Sequence, residues 1–186
     1  NEAKDIYDSI KDNYPIFLTR NLSVAKKWLI QKAKGTERIG IVASSGGCRL
    51  RADGIDVKNE IEPANWFLNG KDDVRSSYYL EEIATEFDIQ GLEIDFTCVA
   101  WDINLHHHEN KWHYKNFKGS KWQNIKQDSA QKYLVNAYRV LLTRARQGMI
   151  IFVPEVDGAD ATRSKVLHDN TFEYLKSCGL SCYIDE

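Results

Sequence analysis

Short apolar runs rich in β-branched residues alternate along the chain with stretches whose apolar positions recur every three or four residues. The runs are PIFLT (15–19), RIGIVAS (38–44), EIATEF (82–87), DFTCVAW (95–101), MIIFV (149–153) and LSCYI (180–184), each with the length and composition of a strand. Between the first two, LSVAKKWLIQKAK carries Leu22, Ala25, Trp28, Leu29 and Ala33 on one side and stops at Gly35, an amphipathic helix with a glycine terminator. Between the last two, DNTFEYLKSCG reads as a helix with Asp169 as N-cap and Gly179 as its stop. A further helical stripe runs from Ala130 through Tyr133, Leu134, Ala137, Val140 and Leu141, and Arg144 takes its next position. That helix is expected to end at Gly148, where MIIFV begins. Strand, helix and strand at these spacings predict right-handed crossovers and a mainly parallel sheet covered on both faces, a three-layer α/β domain.

Arg144 is the anomaly in this pattern, a permanent charge where another Leu would fit. It can be buried against a carboxylate, snorkel to solvent, or face a cleft and meet an anion. Arg139 and Arg146, seven residues apart, share a different face and read as solvated charges. Arg20 lies just beyond the first strand and directly before a helix, so two arginines at the same rim of one sheet would make a phosphate clamp. In parallel sheets function gathers at the carboxyl ends of the strands. That directs attention to TRN (19–21), SSGG (44–47), FDIQGLE (87–93) and the long segment 102–128.

A length of 186 residues with 42% hydrophobic and 11% aromatic content supports one core-forming domain, and five Trp with only three Pro argue against disorder. The formal charge of −2 excludes binding of nucleic acid through bulk positive charge, so any such contact must be local. The strongest local candidate is 103–127, which holds five Lys with one Glu and interleaves Trp112, Tyr114, Phe117 and Trp122. Lysines beside exposed rings bind single strands by stacking and phosphate contact. The competing picture is a hairpin whose rings pack on the sheet while its lysines are solvated.

His106, His107 and His108 are adjacent, and neighbours on a strand face opposite sides, so a solvated loop is expected there and no metal site. Cys48, Cys98, Cys178 and Cys182 lack the paired spacing of a zinc ribbon and read as reduced structural thiols. Asp160 and Arg163 are expected to form a surface pair. No run approaches the length of a membrane span and the opening NEAKDIYDSIKDN has no signal-peptide core, so a soluble, cytoplasmic protein is expected. The missing initiator Met hints at a piece of a longer polypeptide.

In DIQGLEID (88–95), Gly91 allows backbone amides to approach a phosphate and Glu93 could accept from ribose hydroxyls, although a plain β-turn explains the same residues. TEFDIQGLEIDFTCVAWD and NAYRVLLTRARQGMIIFV, in that order, resemble motifs V and VI of superfamily-1 helicases. The second is similar to a Tyr-Val-x-x-Thr-Arg-Ala element, with Arg139 in place of the Tyr. FLTRNLSVAKKWL is similar, more loosely, to motif IV. The ensemble looks closest to the C-terminal half of a bacterial helicase-like family related to the helicase region of Schlafen proteins, over residues 15–180.

The resemblance implies a three-layer α/β/α RecA-like domain of the P-loop NTPase type, a single C-terminal lobe with an insertion at 103–127. Arg144 would be an arginine finger with Arg20 assisting, and Gln90, Gly91 and Glu93 would border the nucleotide. Thr85 and the loop of Ser44 and Ser45 would face the phosphates of single-stranded DNA or RNA, and Lys111, Trp112, Lys115 and Trp122 are the further contacts that the basic, aromatic segment itself suggests. No GxxxxGK[ST] occurs, so ATP and Mg2+ would be held mainly by an N-terminal lobe of the same protein, and this chain alone would be inactive. The alternative is a non-catalytic α/β module that binds nucleic acid or a partner protein.

Overall fold

The computed structural model describes residues 2–184. The chain runs through α1 (Glu2–Ile10), β1 (Ile16–Thr19), α2 (Leu22–Lys32), β2 (Ile39–Ala43), a 3-10 helix (Cys48–Asp53), α3 (Pro63–Leu68), β3 (Ile83–Ala84) and β4 (Ile94–Ala100). It continues with β5 (Leu105–His108), β6 (Lys111–Lys118), β7 (Lys121–Asn124), α4 (Asp128–Leu142), β8 (Ala145–Phe152), α5 (Lys165–Ser177) and β9 (Ser181–Cys182). Six strands form one sheet in the order β3-β2-β4-β8-β1-β9, and each neighbouring pair is parallel.

Alternation along these strands sends apolar side chains to both faces, which is why their sequences read as nearly unbroken hydrophobic runs. On one face Val42, Val99, Met149 and Ile151 meet Leu134 and Leu141 of α4 and Phe172 and Leu175 of α5. On the other, Ile39, Ile41, Cys98, Ile150 and Phe152 meet Ala25, Trp28 and Leu29 of α2. The result is a RecA-like three-layer α/β/α fold. Among the described residues, no helix is long and apolar enough to cross a membrane. Trp66 of α3 lies directly over β2, where a Cβ at Gly40 would sit 2.6 Å from its ring.

The expected strands are all present, with different bounds. β3 covers only two residues of EIATEF, and a turn-rich crossing leads from it to β4. The helix expected to reach Gly148 stops at Leu142, with Thr143 as its C-cap. The reason is pairing: β8 begins at Ala145, opposite Ile94 of β4, and captures the chain three residues before the glycine. Gly148 instead sits inside the strand, where a Cβ would be 2.8 Å from the Pro15 carbonyl oxygen.

α5 also begins earlier than its pattern suggests. Its N-cap is Ser164, while Asp169 lies within the helix and pairs with Arg20 and Lys165. The insertion is a three-stranded antiparallel sheet, β5-β6-β7, rather than one hairpin.

Candidate functional site

The amino-terminal edge of the sheet gathers the residues singled out in two distant stretches. The turn 90–93 enters β4, Arg144 enters β8, and the Ile94 amide donates to the Arg144 carbonyl over 3.1 Å. Gly91 makes the turn with φ +83, a backbone region that side chains disfavour. Gln90, Gly91 and Glu93 are exposed.

Arg144 is half-buried at the end of α4. Thr143 Oγ1 donates to the Arg139 carbonyl at 2.7 Å, closing the helix, and accepts from Arg144 Nη2 at 3.2 Å. Arg144 Nε is buried without a partner. Arg20, Arg49 and Arg163 share an unpartnered Nε, but each of them, like Arg51, Arg75 and Arg146, pairs with an aspartate. Arg38 donates to the Trp66 and Asn69 carbonyls, and the exposed Arg139 to the Asn136 side chain. Of the three fates open to Arg144, pairing with an internal acid is the one absent among the described residues.

Beside it lies a bulge. Ile94 pairs with Ala145 and Phe96 with Gly148, so β8 uses three residues where β4 uses two. Consecutive strand residues ordinarily face opposite sides, yet Arg146 Nη2 (2.7 Å) and Gln147 Nε2 (2.9 Å) both donate to Asp95 Oδ1, while the Arg38 amide donates to Oδ2. Burial acts to raise the Asp95 pKa, but the Arg38 amide, Gln147 and Arg146 hold it below the usual carboxylate value. Arg146 is therefore solvent-exposed, as expected, and also paired, which its pattern does not predict.

Arg20 is not part of this edge. It follows the carboxyl end of β1, while Arg144 precedes the amino end of the adjacent parallel β8, a separation of roughly 25 Å along the strand direction. The expected clamp does not form, because parallel neighbours put a residue after one strand and a residue before the next at opposite rims. Arg20 Nη2 donates instead to Asp169 (2.7 Å) and the Pro154 carbonyl (2.9 Å).

At the carboxyl-terminal edge, Ser44, Ser45 and Thr85 do come together, but their hydroxyls are committed internally. Ser44 Oγ accepts from Asn104, Ser45 donates to Glu86 through both its amide and hydroxyl, and Thr85 donates to Asp88. Behind them Asp102 is almost wholly buried, and burial raises its pKa to about 6 against the opposing pull of the Ile103 and Arg49 amides. Asp160 and Arg163 are not a pair: Asp160 binds Arg49 at 2.5 Å and Arg163 binds Asp53. These cross-links tie the 157–163 loop to the 3-10 helix.

Two histidines are buried here, His168 in α5 and His106 in β5, and burial pushes each down to about 4. In the unfolded chain each takes up a proton near pH 6.5, so their contribution is full above that pH and is lost as pH falls toward 4. Asp102 acts oppositely, its contribution being complete below about 4 and lost as pH rises through 6. Two histidines against one aspartate leave a net loss on the order of 3 kcal/mol on acidification. A falling urea midpoint between pH 7 and 4.5 is the expected result, and a midpoint that rises over that interval refutes the assignment.

In the small sheet the two indoles of the insertion are held differently. Trp112 stacks on Trp101 at 5.8 Å and meets His107 and Tyr174 edge-on. Trp122 is fixed by its Nε1 donating to the Thr162 carbonyl at 2.7 Å. Lys111 is exposed and Lys115 half-buried. The three adjacent histidines lie in β5 and not in the solvated loop expected: His106 is buried and stacks on His113, and His107 stacks on Tyr174, because the segment pairs with β6. Among the described residues no group of three or more His, Cys, Asp or Glu could hold a metal, and all four cysteines are free thiols.

Sequence reasoning missed Asp95, whose position inside an apolar run gave no sign of its three donors, and Tyr138, whose hydroxyl donates to Asn104 at 2.7 Å in the buried network. No curated protein and no solved structure matches the chain. A family model, Schlafen group 3, DNA/RNA helicase domain, matches residues 1–155. That span takes in five of the six strands of the main sheet, the turn 90–93 and Arg144. A parallel RecA-like sheet that brings this turn and this arginine to one rim, under a match over most of its length, makes the chain a member of the Schlafen group 3 DNA/RNA helicase domain family.

Proposed function

We propose that the chain is the C-terminal motor lobe of an ATP-dependent helicase or translocase of the superfamily-1 type, with Arg144 as its arginine finger. The observation that carries this reading is a half-buried guanidinium without a carboxylate partner, its Nε unpaired, next to the exposed turn 90–93. A cation left unsatisfied by its own fold suits an anion brought by another surface. ATP and Mg2+ belong mainly to a preceding lobe, since this sequence contains no phosphate-cradling GxxxxGK[ST]. ATP supplies the phosphoryl group on which negative charge develops. Arg144 places its guanidinium toward that charge, and Glu93, exposed and without an ion pair among the described residues, offers a carboxylate for ribose hydroxyls. Single-stranded DNA or RNA is the second partner.

This chain alone is expected to give no measurable ATP hydrolysis, and steady turnover by a clean preparation, abolished by Arg144→Ala, would overturn the two-lobe account. The decisive assay is ATP turnover by the protein carrying both lobes, with and without single-stranded nucleic acid, beside its Arg144→Ala variant. Lost turnover with nucleotide binding retained is expected; unchanged turnover discards the reading.

A further inference from the structure

We infer that the groove between the small sheet and the start of α5 binds one nucleotide unit of a single-stranded nucleic acid, its phosphate on Lys115 and Lys121 and its base on Trp122. The groove encloses about 300 Å3, and Ile103, Lys115, Lys121, Trp122, Thr162 and Ser164 line it. That volume reaches the lower end of the range of small-ligand sites. Only the identity of the polyanion rests on the helicase reading; the groove and its charges do not depend on it.

Three features of the groove converge. Lys115 is half-buried, and burial lowers its pKa, yet among the described residues neither its ammonium nor that of Lys121 makes an ion pair or hydrogen bond. Asp160, on the loop that supplies Ala161 and Thr162 to the groove wall, is already engaged by Arg49 and by the Thr162 amide and hydroxyl. A desolvated cation with no internal partner is costly unless an anion completes it. Second, Trp122 is held in place by the Thr162 carbonyl and by Phe117, edge-on at 5.0 Å, so a base that stacks on it does not have to order the ring first. Trp112, the other indole of the insertion, is packed between Trp101, His107 and Tyr174 and offers no such face. Third, Lys111 and Lys118 at the two ends of β6, and Lys126 just after β7, add exposed positive charge, local basicity in a chain of net charge −2.

The test is fluorescence anisotropy of labelled single-stranded DNA and RNA oligonucleotides of matched sequence, titrated with the chain across a salt series. Lys115→Gln with Lys121→Gln removes no internal contact and should leave the fold intact. It is expected to flatten the slope of log affinity against log salt by about 0.7, the value of one lost phosphate contact on a single strand. Trp122→Ala, checked for an intact fold by circular dichroism, is expected to weaken binding roughly 5- to 150-fold. Lys34→Gln, just past the end of α2 on the other face of the sheet, is the control. A flattened slope with either oligonucleotide, absent from the control, supports the groove. An unchanged slope with both, the same change in the Lys34 variant, or no binding by the wild-type chain overturns it. ATP turnover through Arg144 is read in a separate assay, so failure of the groove and failure of the motor reading are told apart.

Discussion

Arg144→Ala is expected to lower ATP turnover of the two-lobed protein by about a thousandfold or more, the scale of an arginine finger, with little effect on the stability of this lobe. The small stability effect comes from the hydrogen bonding. Arg144 gives up one bond to Thr143 Oγ1 and leaves no carboxylate behind, so the stability change should stay within about 1 kcal/mol, the scale of a cation at a helix C-terminus. Arg144→Lys should not restore turnover, because an ammonium lacks the planar fork of the guanidinium. Arg146→Ala, two residues on, should show the opposite pattern. It strips a donor from the buried Asp95 and so costs about 1–3 kcal/mol in stability, while turnover by the folded variant persists. If the Arg144 variant unfolds easily and its surviving fraction turns over normally, this residue is structural.

Gly148→Ala is expected to destabilise the chain by about 1–3 kcal/mol or more, seen as a lower urea midpoint. The added Cβ would lie 2.8 Å from the Pro15 carbonyl oxygen and 2.9 Å from its ring. That oxygen cannot move aside cheaply, since it accepts from the Met149 amide at 3.0 Å at the point where β1 and β8 begin to pair. Gly40→Ala meets a side chain instead, the Trp66 ring at 2.6 Å, which is 1% exposed and anchored by its Nε1 donating to the Glu82 carbonyl at 3.1 Å. Alanine should therefore be poorly tolerated at both glycines. Equal stability of Gly148→Ala and wild type would mean that this close approach is relieved at no cost.

The same glycine explains where sequence reading succeeds and where it stops. Continuous apolar runs such as IGIVA and DFTCVA are legible because a strand buried on both faces has no polar position to interrupt it. The helical stripe through Leu134, Ala137 and Leu141 is legible for the matching reason, and all three are buried. Gly148 is open to two readings in the sequence, a helix terminator or a site of close backbone approach, and only the partner strand decides between them. Arg20 and Arg144 look alike as arginines near strand ends, but which end each occupies depends on the whole topology. Arg146 cannot be recognised as paired, because its acid lies 51 residues away in sequence. Thr85 and Ser44 do share one rim, as their strand ends suggest; Asp88 is a local partner three residues from Thr85, whereas the Asn104 amide that satisfies Ser44 lies 60 residues away and is a tertiary fact.

The extra residue in β8 has a consequence for heredity as much as for geometry. Because that strand is one step out of phase with β4 near its start, losing Gln147 would bring the two into step and turn everything before it by half a pleat. Arg144 would then leave α4 toward the opposite layer of the sheet, away from the turn 90–93. A shortening by one codon at this point would thus redirect the guanidinium and, with Gln147 gone, also take one donor from Asp95.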